Sequence, residues 1–339
     1  MKQLFYKLYD YIRKNIKEII INIIIISIIL FVGFFKLPYV VYKPGGTISL
    51  SDRIYINDNK VDTNNYNLAY VSVARGNIPS ILASFIIKDW DIKKINEVTI
   101  NNTDFDTTLE LEKIDMKNSI NKAIFVAYSK AGKEVKAKNE KNIIYAIDKN
   151  ANTDIELFDE IIEIDNKKYD DITKFKEYIR SLNVGDKVSL KVINKEKEYN
   201  RYAYVYEIEG IKVIGIVINA IVDLDTDPKI EIKSKKSEAG SSGGLMLTLA
   251  IYDGLTDDSI SKGKKIVGTG TIEVDGTVGE IGGIKYKLLG AQKGKADIFF
   301  VPEENYEEAK EIYDKYKLSF DLVMVKTFDD AINYLNNME

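Results

Sequence analysis

The amino-acid sequence predicts a mixed α/β protein of more than one compact unit, carried on a single apolar helix. Three observations predict it: an uncharged apolar run from Ile19 to Phe35, a strand, strand, helix, strand order between about Lys141 and Tyr204, and alternating strands and helices from Lys212 onward. At 339 residues the chain can hold two or three units, since domains commonly run about 100 to 200 residues. Hydrophobic residues at 45% and charged residues at 29% suffice for a packed core and exclude wholesale disorder.

The run IIINIIIISIILFVGFF carries only Asn22 and Ser27 as polar residues. It sits at the short end of the length that spans a hydrocarbon core, and Leu37, Pro38, Tyr39, Val40, Val41 and Tyr42 extend it with interface-seeking side chains. A transmembrane helix is expected over residues 19–36, with membrane lipid around it. A cleaved signal peptide is the main rival, because a basic segment precedes the run, but no small-x-small cleavage site follows Phe35. In residues 1–18, Lys2, Lys7, Arg13, Lys14 and Lys17 outnumber Asp10 and Glu18, so the positive-inside rule predicts a cytoplasmic N-terminus and residues 37–339 outside the cell membrane.

Beyond this segment, Lys43-Pro44-Gly45-Gly46 reads as a turn, Ile54-Tyr55-Ile56 and Leu68 to Val73 as strands, and Ile78 to Trp90 as a helix opening near Pro79. Ile143 to Ile147 and Glu160 to Ile164 read as strands. Phe175, Tyr178, Ile179 and Leu182 lie at helical spacing within Thr173 to Leu182, and Lys187 to Asn194 returns as a strand. Further on, Val213 to Val222 is a near-continuous apolar strand, Ile266 to Val274 and Thr277 to Ile281 form a hairpin about Asp275-Gly276, and Ile298 to Val301 is a buried strand closed by Pro302. Tyr306 to Tyr316 and Phe328 to Leu335 are helices flanking the strand Leu322 to Val325.

Composition removes whole classes of chemistry. The chain has no cysteine and no histidine, which excludes disulfides, thiol nucleophiles, Cys/His zinc sites and every Ser-His-Asp arrangement. A net charge of -4 argues against a dedicated nucleic-acid binder. No GxxxxGK[ST] phosphate loop occurs and no metal-ligand cluster is evident, so neither a cofactor nor a metal is expected.

Two glycine-framed stretches remain. In Gly240-Ser241-Ser242-Gly243-Gly244 small residues lead into the apolar run Leu245 to Tyr252, which puts Ser242 near a helix N-terminus where free N–H groups favour developing negative charge. Taken alone, the segment equally suits a serine that merely caps the helix. The second stretch, Gly282-Gly283-Ile284-Lys285-Tyr286-Lys287, again runs through glycines into a helix. Without histidine, a lysine whose burial disfavours its ammonium form is the available base for a serine, although a lone lysine at such a place is commonly a surface residue.

Together with Val267-Gly268-Thr269-Gly270-Thr271-Ile272 between them, these stretches resemble the proteolytic domain of Lon proteases. The resemblance assigns the nucleophile to Ser242 and the base to Lys287, places Thr269 beside the lysine amine, and leaves Gly240, Ser241 and Gly243 as supporting residues of the oxyanion turn. GSSGG stands where that family has a GPSAG-like turn, so Ser241 remains an alternative to Ser242. LFDEIIEIDNKKYDDITKFKEYIRSLNVGDKVSLKVI is similar to the second half of a bacterial PDZ domain, without the usual glycine-rich loop before Ile143.

The order of anchor, PDZ-like β-sandwich module and α/β (α+β Lon-type) domain resembles the membrane-bound PDZ-containing Lon-like proteases of Gram-positive bacteria. It implies a cytoplasmic N-terminus over 1–18, a transmembrane helix over 19–36, an extracytoplasmic segment packing with the protease domain over 37–127, a PDZ-like domain over 128–205 and a Lon-like domain over 206–339. The implied activity is ATP-independent cleavage of cell-surface or membrane-proximal polypeptides. A non-catalytic tethered adaptor that binds peptides is the competing expectation, and the sequence leaves open whether the chain is a homo-oligomer.

Overall fold

The structure is a computed structural model and describes residues 2–63, 65–100, 103–169, 171–256 and 260–338. Helix α1 (Lys2–Phe34) is long, and its stretch Tyr9–Phe34 is long and apolar enough to cross a membrane. Strand β1 (Lys36–Ser49) follows after one residue. The short strands β2 (Ile54–Ile56) and β3 (Asn59–Lys60) lead to β4 (Tyr66–Asn77), which pairs antiparallel with β1.

Asn77 caps α2 (Ile78–Ser84): its side chain accepts from the Ser80 amide at 2.9 Å while the Ser80 hydroxyl accepts from the Asn77 amide at 2.9 Å. The helix expected to reach Trp90 therefore stops at Ser84, and residues 85–89 are turns ending at Asp89, whose φ of 72° no helix accommodates. Strand β5 (Asp91–Lys94) pairs with the other edge of β1. Helix α3 (Phe105–Lys130), not foreseen from the sequence, is capped by Asp104 and buries Leu111, Ala123, Val126, Ala127 and Tyr128.

The middle module begins with β6 (Glu134–Ile147) and continues through β7 (Glu160–Ile164), α4 (Ile172–Ser181), β8 (Lys187–Asn194), β9 (Lys197–Tyr204), β10 (Tyr206–Ile208) and β11 (Ile211–Val213) to β12 (Ile216–Asp227). Its five-stranded sheet has the order β12-β6-β7-β8-β9. Val188, Leu190 and Val192 of β8 alternate inward and meet Phe175 and Ile179 of α4, so this unit has a core of its own. The single strand expected from Val213 to Val222 is broken at Gly215, where φ is +72°. Beyond the break β12 pairs with β6 from Ile216 opposite Ile147 to Asp227 opposite Glu134. The module is thus carried at the tip of a long two-stranded ladder.

The chain then forms β13 (Ile230–Ile232), α5 (Gly244–Thr256), β14 (Ile266–Gly268), β15 (Thr271–Ile272), β16 (Val278–Gly279), α6 (Ile284–Lys293), β17 (Ile298–Pro302), α7 (Glu303–Tyr316), β18 (Asp321–Val325) and α8 (Phe328–Asn337). One six-stranded mixed sheet, β18-β17-β14-β4-β1-β5, joins strands from both ends of the chain. Alternation along β17 sends Ile298 and Phe300 to the face covered by α3, α5 and α8, and Phe299 and Val301 to the face covered by α6 and α7. Both faces are buried, and truncating the fully buried Phe300 to alanine would cost about 3–5 kcal/mol.

Candidate active site

Ser242 lies in the turn that opens α5, a helix in which every residue from Gly244 to Ile251 is buried. The turn is drawn against the neighbouring strands. A Cβ on Gly244 would stand 2.7 Å from Ile272 and 2.8 Å from the Ser119 hydroxyl, so only glycine fits there. The Ser242 carbonyl accepts from the Gly270 amide at 2.9 Å and from the Thr269 hydroxyl at 3.0 Å, and the Ser241 carbonyl accepts from the Ser119 hydroxyl at 2.8 Å. Ser119, on α3 and almost fully buried, had no signal in the sequence.

The turn also decides which amides are free. The Gly240 amide donates to the Glu112 carbonyl at 3.0 Å, so Gly240 supports the turn with its amide already occupied. Among the described residues the amides of Ser241, Ser242 and Gly243 make no hydrogen bond. They lie at a helix N-terminus, where anions are favoured.

Lys287 comes from the first turn of α6. Gly283 opens that helix with φ +71°, a left-handed conformation that suits glycine, and this aims Lys287 inward. The residue is 3% exposed, and its Nζ lies 2.9 Å from the hydroxyl of Thr269, itself fully buried. Burial alone pulls the amine down from its ordinary 10.5 to about 7. Thr269 therefore ties the two stretches together, accepting from Lys287 and donating to the Ser242 backbone. Among the described residues the lysine has no hydrogen bond to the Ser242 hydroxyl. Lys285, two residues earlier, points the other way: it reaches Asp91 of β5 at 2.7 Å, where the Tyr286 hydroxyl also donates at 2.7 Å.

In the middle module the β6 edge on which a peptide could add is paired with β12 along its length, so the free edges of that sheet belong to β12 and β9. Contacts with the rest of the molecule run through α3: Asn121 donates to the Val222 carbonyl at 2.6 Å and Tyr145 to Asp115 at 2.7 Å.

Comparison with known proteins gives the following. Residues 234–337 match the Lon protease (S16) C-terminal proteolytic domain. Curated relatives include the Lon protease of Acinetobacter baumannii, 34% identical over 93 residues, covering 27% of this chain and 11% of that protein. The Lon protease of Fusobacterium nucleatum is 34% identical over 92 residues, covering 27% and 12%. That of Malacoplasma penetrans is 32% identical over 137 residues, covering 38% and 17%. The chain thus spans between 11% and 17% of the length of these relatives.

Among solved structures, the PDZ domain of the SdrC-like protein from Listeria innocua is 23% identical with a TM-score of 0.22, covering 23% of this chain and 92% of that one. The PDZ domain of the SdrC-like protein from Listeria monocytogenes is 22% identical with a TM-score of 0.23, covering 24% and 92%. The segment that matches the Lon protease (S16) C-terminal proteolytic domain, residues 234–337, is the one that holds Ser242, Thr269 and Lys287.

Proposed function

We propose that the chain is a membrane-anchored serine endopeptidase that needs no ATP, with Ser242 as nucleophile and Lys287 as base. The observation that carries this reading is the buried lysine amine with a pKa near 7, hydrogen-bonded to the threonine that also holds the Ser242 backbone. A base is most effective when its pKa lies near the working pH, and a lysine reaches that range only when water is kept from its ammonium form.

The neutral Lys287 amine takes the Ser242 hydroxyl proton as the oxygen attacks the scissile carbonyl. The Lys287–Thr269 hydrogen bond holds the amine beside the turn, and the serine hydroxyl comes within reach as substrate binds, catalytic hydrogen bonds being commonly looser in the free enzyme. The amides of Ser242 and Gly243 receive the oxyanion. The lysine then gives its proton to the leaving amine, an acyl ester remains on Ser242, and water hydrolyses it by the same proton route.

Helix α1 is the membrane anchor, and its basic N-terminal residues keep that end cytoplasmic, which puts the catalytic domain outside the cell with membrane-proximal or surface polypeptides as substrates. A serine-directed fluorophosphonate probe tests the central claim. The full chain in detergent should be labelled without nucleotide and in the presence of a chelator, and Ser242→Ala should lose the label while Ser241→Ala keeps it. Labelling unchanged in Ser242→Ala would return the chain to the adaptor reading.

A further inference from the structure

At the end of α2 and just beyond it the surface presents four large apolar side chains in one short stretch: Leu82 is 59% exposed, Phe85 79%, Ile86 85% and Ile87 43%. Outside α1, the other exposed large apolar residues among those described are scattered singly or in pairs, as soluble surfaces allow. This knuckle is held open by its base. Phe85, Ile86 and Ile87 donate their amides back to Leu82 and Ala83, closing tight turns. Immediately beyond, Asp89 accepts from the Tyr316 hydroxyl of α7 and lies 3.8 Å from the Lys285 ammonium of α6. The polar end is thus fixed to the catalytic domain while the apolar end points away from it.

The position of the knuckle names its partner. Asn77, the cap of α2, donates from its side chain to the Gly33 carbonyl at 2.6 Å, one residue before the end of the apolar α1 stretch Tyr9–Phe34. Lys36 pairs with Asn77 at the same end of the β1–β4 ladder. The exposed Lys36 and Lys88 flank the apolar tips, and Trp90, the chain's one tryptophan, lies with its ring 5.0 Å from the Lys43 ammonium. Apolar tips, flanking lysines and an adjacent tryptophan are the composition of a segment that settles at a membrane–water interface.

We propose that Leu82, Phe85, Ile86 and Ile87 insert into the interfacial layer of the bilayer that α1 crosses, a second membrane contact beside the anchor. This rests on the reading of α1 as a membrane span. One helix alone leaves the domain free to tilt and to turn about the helix axis. A second contact on the α2 knuckle fixes the orientation of the Ser242 turn relative to the membrane surface.

The absence of cysteine makes the test direct. Single variants Ile86→Cys, Phe85→Cys, Ile24→Cys and Val184→Cys of the full chain are labelled with the environment-sensitive fluorophore NBD. They are reconstituted into vesicles of phosphatidylcholine and phosphatidylglycerol, with and without lipids carrying a nitroxide on the acyl chain. Labels at 85 and 86 should show blue-shifted emission and quenching approaching that at 24, in α1, while the label at 184, on the exposed surface of the middle module, shows neither. Quenching at 24 with water-like emission at both 85 and 86 would overturn the proposal and leave the anchor standing, the knuckle then being free for a protein partner. Absence of quenching at 24 as well would remove the anchor and the proposal together.

Discussion

Acidification should switch the enzyme off with a slope set by one buried amine. With its pKa pulled to about 7, Lys287 is about half neutral at pH 7, roughly a tenth neutral at pH 6 and about a hundredth at pH 5. Cleavage of an internally quenched peptide, measured as kcat/KM with the full chain in detergent from pH 5 to pH 9.5, should rise about tenfold per unit up to pH 7 and then flatten. An ordinary lysine near 10.5 would leave fewer than about one molecule in a thousand active at pH 7, and the rate would still be climbing tenfold per unit at pH 9. Such a continued climb, or a profile flat from pH 5 to pH 9, would refute the assignment of the base.

The same shift has a signed consequence for stability. Between about pH 7 and 10.5 the unfolded chain holds a proton on residue 287 that the folded chain does not, so stability rises with pH across that window. Below pH 7 the full cost is present, on the order of 5 kcal/mol. Lys287→Met should therefore be inactive yet more resistant to urea at pH 6, with the gain shrinking toward pH 10.

Other outcomes follow from single contacts. Thr269→Val should lower kcat/KM by roughly tenfold to a hundredfold, the equivalent of a lost buried hydrogen bond to a charged group, while Thr269→Ser retains most activity in the same peptide assay. Lys285→Ala should retain most cleavage and change urea stability by less than about 1 kcal/mol, since its link to Asp91 is partly exposed. Excising residues 148–215 and closing Ile147 to Ile216 with a tight turn keeps the β6–β12 ladder intact. That variant should still cleave a short peptide at near the parent rate and lose cleavage of a folded, membrane-proximal protein; equal loss on both would make the module a folding support.

Much of this was legible where pattern and chemistry coincide. Ile298 to Val301 reads as a buried strand and is one, and Thr173 to Leu182 reads as a helix and is one to within a residue; the hairpin about Asp275-Gly276 is confined to Thr271–Ile272 against Val278–Gly279, because Ile266–Gly268 joins the central sheet in parallel instead. The pairing of Thr269 with Lys287 was readable only through family resemblance, because nothing in the spacing brings β14 to α6. Helix α3 escaped notice since its charged residues interrupt the apolar stripe, though Asp104 followed by 26 residues without glycine or proline was a usable sign. The break at Gly215 was hidden in a run of β-branched residues, where one glycine carries the turn. Ser119 was invisible: its value lies in facing a carbonyl far away in sequence.

The central sheet joins Tyr66 to Ile266 and Leu68 to Gly268 in parallel register. Its first strands leave the ribosome early, and their partners leave only after the entire middle module. Such long-range pairings carry a large loop-closure cost before any contact repays it, so they form late. Lys287 and Thr269 lose their water only when that sheet closes and α6 packs on it. Until then the lysine is an ordinary, protonated surface amine and the serine an ordinary alcohol. On the proposed assignment of Lys287 as base, the site stays latent until residues 266–338 have folded onto the strands at residues 36–77.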